Sequence, residues 1–530
     1  MKRPPGALVV FVGATALFAV LHSRQYTEVD GALRCLDVLR RQRLFFHGNN
    51  HLLYPANVLA WSRLAGLLGI RATTPEAFLR LTALMNSCAA AGCVALVFAL
   101  VRRFTGSVVA ALGAAVGLAF ARAFLLHATA SAEPMVGLWW SLLGVAVPAY
   151  GGEAPAVWRF VLAGALLALS VATYQSMIFA APVLVVLCVV PSAPGAPRVR
   201  TVARNLLAVG LTAVVALAAI FGAAALAQGE RGAGALALRF SQVGLDRAFF
   251  GGFSWSKAHG LPLGITGNIF AALPPELASL RAHIRGLLGG RWLPWTALFG
   301  LGGALLGAAL ALGAWRMRGA ATPAHRRVML ATAAGAAAGV LGPAYWAPGY
   351  DKLWLQPIAF LVLTVGLAYG AAASRLGRGA RLAVLALLGV EVATNVVTAV
   401  EDAAHPSPYL ASAAQVARLV GPEGVVLHDW NPVSSLYDAM WARENQAFDA
   451  ALAAIELRDS ASRAVADVVQ RARARGATPY VLAGPGARAP DRQRVLRGDT
   501  LADPLAAWLD SGVVVARFPD RFVPVTLRRL

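Results

Sequence analysis

The sequence predicts a mainly α-helical, polytopic membrane protein of about eleven transmembrane helices, closed by a small extracytoplasmic α/β domain. Three observations carry this expectation. The 530 residues are 58% hydrophobic and only 14% charged, with a mean hydropathy of +0.62, a membrane-protein composition. Apolar runs of spanning length recur at 6–22, 78–101, 106–126, 133–150, 157–173, 176–191, 205–227, 294–314, 328–346, 353–373 and 382–400. From Glu401 the pattern changes to short apolar runs around one amphipathic stretch. The division is therefore 1–400 for the membrane part and 401–530 for the tail.

Taken in order, Lys2 and Arg3 ahead of Gly6 to Leu21 resemble the start of a signal peptide. No Ala-x-Ala cleavage cue precedes Ser23 and further spans follow, so an uncleaved first helix is expected. The stretch from Ser23 to Pro55 then crowds polar groups against the lipid boundary. Glu28 and Asp30 open it; Leu33, Leu36 and Leu39 mark one helical face and Asp30, Arg34, Asp37 and Arg41 another. Such a helix is expected to lie flat in the interface with its arginines toward headgroups. His47-Gly48-Asn49-Asn50-His51 and Leu52-Leu53-Tyr54-Pro55 follow. The run at 51–70 is broken by Asn57, Ser62 and Arg63, which suggests a re-entrant or interfacial helix.

Residues 228–293 read as a long loop containing Trp255, Lys257, His259 and Asn268, then Pro274-Pro275 before an interfacial helix with Arg281 and Arg285. In the tail, strands are expected at 425–427, 480–482, 512–518 and 523–527, with a helix at 460–475. About 130 residues suffice for a small domain.

The net charge of +21 is unevenly placed. The tail from Glu401 balances 15 acidic against 15 basic residues, leaving 32 basic and 11 acidic residues in the first 400. Basic residues scattered between spans argue against nucleic acid and fit anionic membrane lipids and phosphate-bearing substrates. Short loops with Lys2/Arg3, Arg102/Arg103, Arg198/Arg200/Arg204, Arg316/Arg318/Arg326/Arg327 and Arg375/Arg378/Arg381 fall on one side. That side is expected to be the cytoplasm of a cell with this protein in its inner (plasma) membrane. The loops 23–77 and 228–293 and the tail then face outward. Cys35, Cys88, Cys93 and Cys188 show no metal-ligand spacing and are expected to be packing residues.

The order of motifs resembles the GT-C superfamily of membrane glycosyltransferases, which includes protein O-mannosyltransferases, aminoarabinose transferases and RgtA/B/C/D-like proteins. The resemblance covers roughly 1–400. It rests on an early outer-loop acid in Glu28-Val29-Asp30-Gly31, an aromatic-containing segment from His51 to Pro55, and Arg102-Arg103-Phe104-Thr105-Gly106 at a helix end. At 172–176, where the family often has Leu-Thr-Lys, this chain has Ala-Thr-Tyr-Gln-Ser, so Tyr174 or Gln175 stands in the lysine position. The resemblance implies a GT-C-like fold and the extracytoplasmic transfer of a sugar from a polyprenyl-phosphate donor to a glycan, lipid or protein acceptor.

That reaction needs a carboxylate near the interface to take a proton from the acceptor hydroxyl. Glu28, Asp30, Asp37, Glu133 and Asp351 are the acids so placed. Asp30 matches the family's acidic position and is the expected base, although Asp30-Gly31 also suits a helix N-cap. Glu133 before Pro134 is either an ordinary helix start or a second acid across a shared cavity. Tyr54, Tyr174 and Gln175 are expected substrate contacts. His47 and His51 suit hydrogen bonding to sugar better than metal binding; no resident cofactor is expected, a divalent cation being an optional assistant. The leaving phosphate calls for cations, for which Arg34, Lys257, Arg281, Arg285 and Lys352 are candidates. Lys352 equally suits snorkelling in an aromatic belt. Glu391, inside an apolar run, suggests an interhelical hydrogen bond with a residue such as Asn395. The competing class is a transporter or flippase, which favours repeats and mid-membrane polar groups. No repeat is visible, and the polar groups crowd the outer face. A third reading is a non-catalytic scaffold presenting the tail.

Overall fold

A computed structural model of the chain describes residues 5–23, 29–41, 51–151, 155–191, 199–227, 253–270, 322–346, 348, 350–373, 375–405, 407–428, 432–442, 446–449, 460–483, 511–518 and 525–530. The membrane part contains α1 (Pro5–Val20), α2 (Val29–Arg41), α3 (Tyr54–Leu67), α4 (Pro75–Thr105), α5 (Val108–Phe120), α6 (Arg122–Ala128), α7 (Pro134–Ala149), α8 (Val157–Thr173), α9 (Ala181–Val189), α10 (Val199–Ala227), α11 (Trp255–Ile269), α12 (Pro323–Gly339), α13 (Leu341–Tyr345), α14 (Leu355–Ala372) and α15 (Arg378–Ala404). Among the described residues, five helical stretches are long and apolar enough to cross a membrane, or six if α5 and α6 form one bent span. The apolar run at 294–314 lies outside the described residues.

Helix α4 organises the bundle. Thr74 caps its start, its Oγ1 accepting from the Ala77 N–H at 3.3 Å, and Gly106 ends it in the left-handed region at φ +69°. α1, α5, α7 and α14 pack around it, and their buried alanines, leucines and valines form the main apolar core.

Three expectations need correction. The run at 106–126 is not straight: α5 and α6 meet at Ala121 with a 69° bend. The run at 176–191 opens as a 3-10 turn, Gln175–Ala180, before the short α9. The stretch 228–293 is not loop throughout, since α11 runs from Trp255 to Ile269. Ser254 caps α11, and Leu261, Ile265 and Ile269 recur every four residues. Averaging with the polar flanks hides this short period.

The tail carries α16 (Pro408–Val420), β1 (Val425–His428), α17 (Pro432–Met440), β2 (Ala447–Asp449), α18 (Ala461–Ala474), β3 (Pro479–Ala483), β4 (Val513–Phe518) and β5 (Val525–Arg529). The sheet order is β2-β1-β3-β5-β4. β1 runs parallel to β2 and β3, with Leu427 opposite Val481, and β5 runs antiparallel to β3 and β4. β1 and β3 are buried along their whole length, as strands covered on both faces must be. Val426 and Leu482 face residues of α16 and α17, including Val416 and Leu436. Leu427 and Val481 face Val465 and Val469 of α18.

The tail touches the bundle at α2. Arg40 Nη2 donates to the Asp438 carbonyl at 2.8 Å and the Ala442 carbonyl at 3.3 Å, at the end of α17, and Met440 packs on the cluster beneath α2. The tail therefore sits at the same end of the bundle as α2.

Candidate active site

The site forms where α2 crosses the chain leading into α7. The crossing depends on Gly31. A Cβ there would run into the Ser131 carbonyl oxygen and lie 2.9 Å from the Ala132 Cα, so any side chain would push the two backbones apart. The buried face of α2, Ala32, Cys35, Leu36 and Val38, rests on Tyr54 and Val58 of α3, Leu79 of α4 and Val136 of α7. This corrects the expectation that its arginines point toward headgroups. Arg34 and Arg40 instead hold neighbouring protein segments.

Pro134 occupies the first turn of α7 and Glu133 its N-cap position, yet the Glu133 carboxylate makes no capping bond. It turns toward α2, where Arg34 Nε donates to Glu133 Oε1 at 3.0 Å. Glu133 is fully buried and the Arg34 side chain is 16% exposed. Enclosing such a pair gains little stability, because desolvation offsets the attraction; the pair fixes geometry.

The segment before Glu133 is pinned from two sides. Asn86 Nδ2 donates to the Ala130 and Ala132 carbonyls at 2.7 and 2.8 Å. The Thr82 and Ser131 hydroxyls share a 2.7 Å hydrogen bond, and Ser131 Oγ also donates to the Leu79 carbonyl. Ser87 Oγ donates to the Ala128 carbonyl at 2.9 Å. From the end of α1, the Ser23 N–H donates to the Thr129 carbonyl at 3.0 Å. Thr82 and Asn86 lie one turn apart, so one face of an apolar helix supplies this scaffold.

A second charge pair lies on the same stretch of chain. His127 of α6, fully buried, approaches Asp351 with 3.4 Å between Nε2 and Oδ1. Burial alone would raise the Asp351 carboxyl, but His127, Arg122 and the Lys352 backbone N–H outweigh it and hold the group at about 2. Lys352 is buried, its ammonium 4.7 Å from the Tyr350 ring centroid, a cation–π contact rather than a snorkelling pose. Lys257 Nζ donates to the Tyr345 carbonyl at 2.6 Å. α11 lies against this loop, where Gly264 admits the Pro348 carbonyl and the Trp354 ring.

On the other flank, His51 has φ +61°, and among the described residues no other non-glycine has positive φ. That rare conformation lays its ring on Tyr174, with centroids 4.8 Å apart and planes 9° apart. The Leu53 N–H donates to the Ala172 carbonyl at 3.0 Å. Gln175 opens the adjoining 3-10 turn and is half-buried. Tyr54 is fully buried with its hydroxyl 3.5 Å from Cys35 Sγ.

The structure thus brings together Arg34 with Glu133 and His51 with Tyr174. Lys257 and Lys352 belong to the Asp351 loop region. Asp30 sits in the first turn of α2, and its side chain is outside the described residues, as are Glu28, His47, Arg281 and Arg285. Sequence reasoning passed over the Thr82, Asn86 and Ser87 stripe and the His127–Asp351 pair. The available signal was a polar i, i+4 repeat and a histidine inside apolar runs. Asn395 Nδ2 donates to the Phe120 and Ile269 carbonyls, whereas Glu391 lines a largely apolar cavity of about 490 Å³ between α5, α11, α14 and α15. Among the described residues, no group of three His, Cys, Asp or Glu is arranged to hold a metal ion.

No protein-family model matches the chain, and no curated protein matches it in sequence. Solved structures do match in three dimensions. The crystal structure of ArnT from Cupriavidus metallidurans bound to undecaprenyl phosphate is similar over 99% of this chain and 98% of its own, with a TM-score of 0.57 and 14% identity. The Archaeoglobus fulgidus oligosaccharyltransferase in the apo form is similar over 92% of this chain and 71% of its own, with a TM-score of 0.52 and 13% identity. The same enzyme in complex with Zn and sulfate gives 0.52 and 15% identity over 95% and 71%. At such identities the likeness is one of fold. The chain is a multi-pass membrane protein with the GT-C-like fold of membrane glycosyltransferases.

Proposed function

We propose that the protein transfers a sugar, with inversion, from a polyprenyl-phosphate donor to an extracytoplasmic glycan, lipid or protein acceptor. The observation that carries this reading is the Gly31 crossing. It sets the backbone next to Asp30 against the segment that bears Glu133, which supports a site shared by Asp30, Glu133 and Arg34. In the proposed step, the acceptor oxygen attacks the anomeric carbon and the carbon–oxygen bond to phosphate breaks. The electron pair leaves with the phosphate, and the acceptor proton passes to the Asp30 carboxylate. The buried Glu133 holds Arg34 in place, and Arg34 turns its remaining guanidinium donors toward the phosphate. Lys257 and Lys352 add positive potential from the loop around Asp351. His51, half-buried and backed by the buried Tyr174 ring, offers a flat face of the kind sugar rings pack on. The reaction uses no resident metal in this reading, a divalent cation serving at most as an assistant. The similar ArnT structure is one with undecaprenyl phosphate bound, which supports a lipid-phosphate donor.

The test is Asp30→Asn, which keeps shape and removes the base. Turnover with an identified polyprenyl-phosphate sugar should fall by about two to four orders of magnitude, while donor binding changes little. Near-normal turnover would refute Asp30 as base. Movement of the donor lipid across proteoliposomes, without sugar transfer and indifferent to Asp30→Asn, would favour a flippase.

A further inference from the structure

A polar cavity lies far from the site just described. It has a volume of about 370 Å³ and is lined by Arg103 and Phe104 at the end of α4, Ala149 at the end of α7, and Thr322 and Arg327 at the start of α12. Volumes of this order belong to small-ligand sites. Twenty-one residues of continuous helix separate Arg103 from Thr82, so the cavity lies about 32 Å from the Glu133 scaffold. That distance is close to the thickness of a bilayer's hydrocarbon core, about 30 Å. The cavity therefore opens at the opposite membrane interface, on the arginine-rich side.

Its charge is one-sided. Arg327 is 4% exposed. Its Nε and Nη2 donate to the Leu187 carbonyl in the last turn of α9, the Nε bond being 3.0 Å long. Nη1 has no hydrogen-bond partner among the described residues. Arg103 is exposed at the mouth, its guanidinium 5.1 Å from the Tyr150 ring centroid. Neither arginine forms an ion pair among the described residues. No acidic residue lines the cavity among the described residues. The amino-terminal end of α12, capped by Thr322, adds its positive dipole end. A buried cation beside an open polar cavity, with a second cation at its mouth, calls for an anion.

We propose that this cavity binds a phosphate-type anion, supplied by the headgroup of an anionic phospholipid or by free phosphate. A planar guanidinium fork suits phosphate oxygens, and basic pockets between spanning helices at this interface are where anionic headgroups bind. The occupant would bridge the end of α4 and the start of α12, which both line the cavity.

The test uses the full-length protein in detergent, followed by thermal unfolding. One arm titrates short-chain phosphatidylglycerol against phosphatidylcholine; the other titrates inorganic phosphate against chloride at equal ionic strength. Stabilisation by phosphatidylglycerol identifies a lipid headgroup site, and stabilisation by phosphate alone a solute site; either supports the proposal. Arg103→Gln, at an exposed position expected to fold, should weaken the effective ligand about fivefold. Arg102→Gln removes the same charge one residue away, outside the cavity lining, and should leave the affinity unchanged. No stabilisation in either arm, or equal losses in the two variants, would overturn the proposal, the latter because diffuse surface charge then explains the effect.

Discussion

Gly31 is the residue on which the candidate site turns, and it makes no hydrogen bond through a side chain. Its role is steric. With the Ser131 carbonyl and the Ala132 Cα pressed against it, Gly31→Ala forces backbone apart from backbone, and neither side is the flexible tip of a side chain. Overpacking of this kind costs about 1–3 kcal/mol. The shift also pulls Arg34 away from Glu133 and so weakens the ion pair that holds a fully buried carboxylate. Gly31→Ala should therefore lower the thermal midpoint of the purified protein and reduce transfer together; a variant with unchanged midpoint and turnover would mean that α2 does not rest where the structure places it. At this scale the sequence was informative about which residues matter and silent about whom they meet. Asp30, Arg34 and Glu133 stand out as charges beside apolar runs. The partner of Arg34 did not, because helical spacing exposes only neighbours three or four residues away, and Glu133 lies 99 positions on. Thr82, Asn86 and Ser87 vanished into the average of an apolar window, although they hold the Ala128, Ala130 and Ala132 carbonyls and the Ser131 hydroxyl in place.

Elements were legible where one period dominates. Within the described residues, long apolar runs became helices, and the buried strands β1 and β3 fall where the apolar runs of the tail suggested. The bend at Ala121 was not legible, since no proline or glycine sits there. Its cause is tertiary: Arg122 Nη1 reaches the Gly267 carbonyl of α11 at 3.4 Å and His127 reaches Asp351, contacts unavailable to a straight helix. β2, three residues long, and α17, nine residues, are too short to impose a period. The tail elements bury a cluster of their own, with Val416, Val426, Leu436, Tyr437, Leu482, Phe518 and Leu527 sharing one core. Its described polar contact with the membrane part runs through Arg40. We propose on this basis that residues from about 404 onward fold as a unit. Expressed alone, they should unfold in one cooperative thermal transition. Absence of a transition would show that the sheet needs α2 as a wall.

For the whole molecule, the question is which end of the bundle faces which compartment, and two independent features converge on it. The contact of α17 with α2 fixes the tail at the α2 end. Helix α4 carries Arg102 and Arg103 at its other end, about 32 Å from Thr82, so the tail and these arginines are expected on opposite sides of the bilayer. Positively charged short loops stay in the cytoplasm during insertion, and the loops with Arg102/Arg103, Arg198/Arg200/Arg204 and Arg375/Arg378/Arg381 carry that excess. Translocation of long segments is largely indifferent to charge, so the arginines of the tail do not compete. The expected topology has the amino terminus and these loops in the cytoplasm, and α2, the candidate site and the tail outside. A reporter active only in the cytoplasm should be silent when fused after Leu530 and bright when inserted at the 192–198 loop. Because the α2–α17 contact couples them, a tag placed at 42–50 must share the compartment of Leu530. A bright signal after Leu530 would put the candidate site in the cytoplasm and remove the case for a donor presented in the outer leaflet. Opposite compartments for the 42–50 tag and Leu530 would contradict the packing of the tail on α2 itself.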